Sequence, residues 1–128
     1  MSYHFSKFVD YSFEKTLERA TEELKKEGFG ILTEIDVQDT LKKKINVDFQ
    51  RYKILGACNP HFAHKALSSE NKIGTMLPCN VVVQQHPNGK VEVSAVDPVA
   101  SMMAIQNESL GAVAKEVREK LKKVIENI

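Results

Sequence analysis

Cysteine is scarce in this chain. Its 128 residues contain two, Cys58 and Cys79, too few for the disulfide frameworks that hold small secreted domains together. An excess of one charge is also missing. Lys and Arg number 18 against 17 Asp and Glu, a net charge of +1, whereas neutralising phosphates takes a clustered excess of basic side chains. No nucleic-acid partner is therefore expected, and the triplet Lys42-Lys43-Lys44 reads as a solvated helix face. No apolar run reaches the roughly 18 residues of a membrane-spanning helix, so no membrane partner is expected. The opening Met-Ser-Tyr-His lacks the basic and apolar segments of a secretory signal. A cytoplasmic location with reduced thiols is the resulting expectation, which leaves the glycosylation-type triplet Asn107-Glu108-Ser109 without weight. Phosphate-cradling glycine loops are absent as well, because Gly28-Phe29-Gly30 follows a helical pattern rather than a strand.

What is present is an alternation of short strand and helix patterns. Tyr3 to Val9 reads as a first strand rich in aromatic residues. Ser12 caps a helix whose stripe is Phe13, Leu17, Ala20 and Leu24, and Gly28 supplies a left-handed stop. From Gly30 to Val37 the period falls to two, with Ile31, Thr33, Ile35 and Val37 expected on one face. Gln38 to Asn46 reads as a short surface helix, and Tyr52 to Cys58 as a third strand in which Gly56 marks a bulge or close backbone approach. Asn59-Pro60 announces a helix carrying Phe62, Ala63, Ala66 and Leu67, since Asn is a favoured N-cap and Pro a favoured first residue.

Val81 to Val83 and Lys90 to Val96 then form a hairpin across Pro87-Asn88-Gly89. Asp97-Pro98 repeats the cap-and-proline signal before a short helix with Val99, Met102, Met103 and Ile105, its methionines serving as core filler. The stripe Leu110, Val113, Ala114, Val117, Leu121, Val124, Ile125 gives a long final helix, with Glu116–Lys120 and Glu119–Lys123 as expected surface pairs. Residues 1–128 thus read as a single α+β domain. A first strand–helix–strand unit followed by a hairpin predicts a mixed β-sheet with helices packed mainly on one face. Glu34, Asp36, Lys90 and Glu92 would leave the other face wet or paired with a second subunit.

Chemistry concentrates at two Cys-Asn dipeptides, Cys58-Asn59 closing the third strand and Cys79-Asn80 opening the fourth, each flanked by a proline, Pro60 and Pro78. Strand ends that open into helices and loops are common ligand sites. Cys58, Asn59, Pro60, His61, Cys79 and Asn80 are accordingly the candidate ligand-binding residues. If the third and fourth strands run antiparallel, Cys58 and Cys79 become neighbours. The spacing Cys-x-x-His-x-x-His makes Cys58, His61, His64 and Cys79 candidate ligands for zinc or another transition metal. A cysteine-dependent reading instead takes His61 or His64 as a base for Cys58, with Asp97 to orient it. The bland reading has Cys58 packing at a strand end, the histidines solvated in the first turns of a helix, and Asp97 capping a helix. Neither a Cys-x-x-Cys pair nor a full zinc signature is present, and no catalytic residue is assigned.

The strings Tyr-Lys-Ile-Leu-Gly-Ala-Cys-Asn-Pro (residues 52–60), Leu-Pro-Cys-Asn-Val-Val-Val (77–83) and Val-Ser-Ala-Val-Asp-Pro (93–98) together resemble the bacterial and archaeal family called domain of unknown function 302. That resemblance covers nearly the whole chain. It implies a small α+β protein, often dimeric, and brings no established activity or catalytic residues. The combined reading is a small homodimeric binding protein holding a small molecule or metal near the Cys-Asn segments. The alternatives are a cysteine-dependent enzyme or redox protein, and an interaction module without a small-ligand site.

Overall fold

A computed structural model describes residues 2–128. The chain runs β1 (His4–Val9), α1 (Phe13–Lys26), β2 (Gly30–Asp36), α2 (Val37–Ile45), β3 (Tyr52–Cys58), α3 (Pro60–Ser69), a 3-10 turn (Ile73–Met76), β4 (Cys79–Gln85), β5 (Val91–Val96), α4 (Pro98–Ser101) and α5 (Glu108–Asn127). The α+β class holds. The sheet order is β1-β5-β4-β3-β2, and all four pairings are antiparallel, where a mixed sheet was expected. The reason lies in α1, which carries the chain from one edge of the sheet to the other. β1 and β2 never meet, so the first strand–helix–strand segment forms no parallel pair.

One face of the sheet carries the core. Leu55 and Ala57 on β3, Val81 and Val83 on β4, and Val91, Val93 and Ala95 on β5 alternate inward and are buried. Phe13, Ala20 and Leu24 of α1 and Val117, Leu121, Val124 and Ile125 of α5 cover them. Leu17, on the same α1 stripe, is only partly buried against this cluster. α3 and α4 pack on α5, and α2 packs on β2 and β3.

The local signals act as read. Ser12 Oγ accepts from Lys15 N at 3.1 Å. Asn59 Oδ1 and Asp97 Oδ1 accept from Phe62 N and Val99 N at 3.4 and 3.0 Å. Gly28 stops α1 with φ at 85°, a left-handed conformation that glycine adopts without steric cost. A β-carbon on Gly56 would collide with the Thr33 hydroxyl and sit 2.8 Å from Pro78 Cγ, so the glycine permits a close approach of neighbouring segments.

Three expectations are corrected. A bulge in β2 advances the chain by two residues, Ile31 to Thr33, against one step on β3, Ala57 to Gly56. Ile31 therefore packs on the core while Ile35 lies opposite Ile54 on the outer face, 47% exposed. The methionine helix ends at Ser101, after which Met102 is partly buried and Met103 is 67% exposed. Lys120 and Lys123 both reach Glu27, at 3.8 and 3.5 Å, and Glu119 pairs with Arg118 at 2.9 Å. The predicted pairs along α5 thus give way to a bridge from α5 to the end of α1.

Candidate functional site

Four strand ends meet at one end of the sheet: the start of β2, the end of β3, the start of β4 and the end of β5. Above them α3, α4 and α5 fail to fill the space. Ala63 and Ala66 on α3 face a cavity shared with Ala114 on α5, and Gly74 adds no side chain of its own. Small residues at these positions leave a pocket of about 340 Å³, within the range of small-molecule sites. Its lining is almost wholly apolar, with Phe29, Leu32, Phe62, Leu67, Leu77 and Val113 among its walls. Leu32, the extra residue of the β2 bulge, is 67% exposed and still lines it, as does the 42% exposed Leu67. The mouth is therefore apolar too.

Both cysteines line this pocket. β3 and β4 are antiparallel with Ala57 opposite Cys79, so Cys58 lies one residue from that pair and the two thiols are neighbours. Both are free. Burial pushes the Cys79 thiol from 9.0 up to about 11, with the nearby Cys58 adding in the same direction. At neutral pH Cys79 is a neutral, weakly polar wall residue rather than a nucleophile. Met102 places a third sulfur side chain in the lining, which suits an irregular, adaptable surface.

Asn59 also lines the pocket but is committed elsewhere. Its Oδ1 caps α3 and its Nδ2 donates to Glu27 O at 3.3 Å. The remaining residues singled out in the sequence diverge. Pro60, His61 and His64 are exposed and do not line the pocket. The apolar side of α3, with Phe62, Ala63, Ala66 and Leu67, takes that place, and the helical period turns positions 61 and 64 away from it. Asn80 pairs with Gly56 and is exposed on the outer sheet face. Among the described residues no group of three or more His, Cys, Asp or Glu side chains could hold a metal ion. The set Cys58, His61, His64 and Cys79 is thus not assembled as a metal site in this geometry.

Asp97 caps α4 and accepts from Arg118 Nε at 3.2 Å, and it is not among the pocket residues, so it orients no base there. It lies instead in a wider, more polar basin of about 740 Å³ beside β1, α4 and α5. The Arg118 guanidinium in that basin is already engaged by Asp97 and Glu119 and stacks 5.1 Å from the Phe5 ring. We therefore place the candidate site in the smaller apolar pocket. The pocket-lining residues beyond the cysteines and Asn59 had one legible signal, the small residues Ala63, Ala66 and Ala114 within otherwise large apolar stripes.

An antiparallel five-stranded sheet with a helical layer over its inner face and an apolar pocket at the strand ends defines a compact α+β protein with a ligand-sized hollow. The chain belongs to the family described as domain of unknown function DUF302, which it matches over residues 5–128. Its fold is similar to the crystal structure of an uncharacterized conserved DUF302 protein from Bacillus stearothermophilus, with a TM-score of 0.92 and 30% sequence identity. That similarity covers 99% of this chain and 98% of the other. Comparison with curated proteins finds no match.

Proposed function

We propose that this protein is a small homodimeric binding module that holds an apolar small molecule in the pocket between α3, α5 and the ends of β3 and β4. The observation that carries this reading is the pocket itself, a hollow of about 340 Å³ with apolar walls and an apolar mouth. Packed interiors rarely leave such space, and an apolar hollow gains dispersion contacts from an apolar guest that water cannot supply. At about 30 Å³ per non-hydrogen atom, on the scale of water's share of liquid volume, the hollow suits on the order of ten such atoms.

The cysteine-dependent alternative has less support. It requires a base beside the Cys58 thiol, whereas both histidines of α3 are exposed and lie outside the pocket that Cys58 lines. A metal ligand is likewise less favoured than an apolar guest, given the absence of a converging ligand set among the described residues. Two free thiols suit a reducing compartment such as the cytoplasm. Dimerisation is supported by the outer sheet face, where Ile35, 47% exposed, lies beside Ile54 and Val82 in an apolar strip across β2, β3 and β4.

Calorimetric titration with 1-octanol tests the binding reading. Burying eight carbons at about 0.8 kcal/mol each contributes roughly 6 kcal/mol, equivalent to a Kd of about 20–40 µM before ordering costs, which weaken it toward the millimolar range. The binding should carry a negative heat-capacity change. Ala63→Phe, which fills the hollow from α3, should abolish it while leaving the circular dichroism spectrum unchanged. Absence of octanol binding to the wild type would reject the reading.

A further inference from the structure

We infer that the pocket selects amphiphiles with an anionic head, the apolar tail lying in the hollow and the head held beside Phe62 by Lys65 and Lys120; this rests on the ligand-binding reading above. The interior offers little to receive a polar head. Asn59 spends its oxygen on Phe62 N and one of its two amide hydrogens on Glu27 O, and the two thiols and the Met102 thioether are weak partners. A head group is therefore better satisfied outside the hollow.

Two lysine ammonium groups gather beside one wall of the pocket. Phe62 lines the pocket, and Lys65 Nζ and Lys120 Nζ lie 5.6 and 6.0 Å from its ring centroid. Lys120 shares the single carboxylate of Glu27 with Lys123, at 3.8 and 3.5 Å, so two ammonium groups compete for one partner. Lys65 has the Phe62 ring beside it and, among the described residues, forms no ion pair. Lys65, without an ion pair among the described residues, and Lys120, which shares Glu27, thus place positive charge beside an apolar wall of the pocket. A carboxylate is the simplest head that satisfies it, bonding to an ammonium whose flexible stem lets it swing to the ligand.

The test compares octanoate, 1-octanol and octylamine by calorimetry at neutral pH and low salt, with wild type and Lys65→Gln/Lys120→Gln. Octanoate should bind about two- to fivefold tighter than octanol, as expected for exposed charge pairs, and octylamine should bind more weakly than octanol. The double variant should lose the octanoate advantage and keep its octanol affinity, since neither lysine lines the hollow. Added salt should shrink the advantage in the wild type. Octanol binding with octanoate equal or weaker would overturn the inference and leave the apolar pocket standing, as would an advantage that survives in the double variant. Failure of all three probes would remove the pocket reading and this inference together.

Discussion

Cys79 combines a strand position fixed by pairing with a chemical state fixed by burial. It opens β4 opposite Ala57 and is 8% exposed. Its thiol is neutral in the fold up to about 11, while in the unfolded chain it ionises near 9.0. The sign follows directly: ionisation favours the unfolded state once pH exceeds 9.0, so stability falls as pH rises through that window toward 11. Urea unfolding below pH 9 and near pH 11 should show this loss in the wild type and a smaller one in Cys79→Ala; parallel losses would contradict a buried thiol. Much at this scale was legible in sequence. Asn59, Asp97, Gly28 and Gly56 act through their own backbone geometry, which neighbouring residue types reveal. The meeting of Cys58 and Cys79 followed once antiparallel pairing was assumed. The outward turn of His61 and His64 was not legible, because Cys-x-x-His-x-x-His spacing aligns the two histidines with each other but does not say which face of α3 the core takes.

Helix α5 supplies the strongest element-level signal and the largest share of the helical cover. Leu110, Leu121, Val124 and Ile125 are all nearly inaccessible. Leu121 joins α5 to the main core, and its truncation to alanine should cost about 2–5 kcal/mol, as large-to-small changes at buried positions do. Chemical denaturation of Leu121→Ala checks this, and a loss below about 1 kcal/mol would contradict the packing described. Helices were readable because apolar spacing alone marks their buried side. Strand partners were not. Local patterns identify β1 and β2 but carry no information that α1 spans the sheet and delivers them to opposite edges. The bulge at Leu32 was equally silent, since one extra residue leaves composition intact while reversing the face of every residue after it. That reversal moves Ile35 outward and leaves Leu32 at the pocket mouth.

For the whole molecule, the two sheet faces differ in what covers them. The inner face is closed by α1 and α5, whereas the outer face carries Ile35, Ile54 and Val82 beside the hydrogen-bonded hydroxyls of Ser6 and Ser94, 2.7 Å apart. Twofold pairing is the commonest way to bury such a surface. Sedimentation at micromolar concentration should therefore give twice the 14.4 kDa chain mass, and Val82→Asp should return a folded monomer; a wild-type monomer would contradict the dimer. The pocket lies at the opposite face, at one end of the sheet, so the proposed ligand binding and the proposed pairing would use separate surfaces. The most direct test of the central claim, an apolar guest in the hollow beneath α3, is methyl NMR during titration with 1-octanol. The methyl signals of Leu32, Ala57, Ala63, Met102 and Val113 should shift together and saturate, while those of Ile35 and Val82 on the outer face stay in place. Shifts confined to the outer face, or no saturable shift among the pocket methyls, would contradict the account.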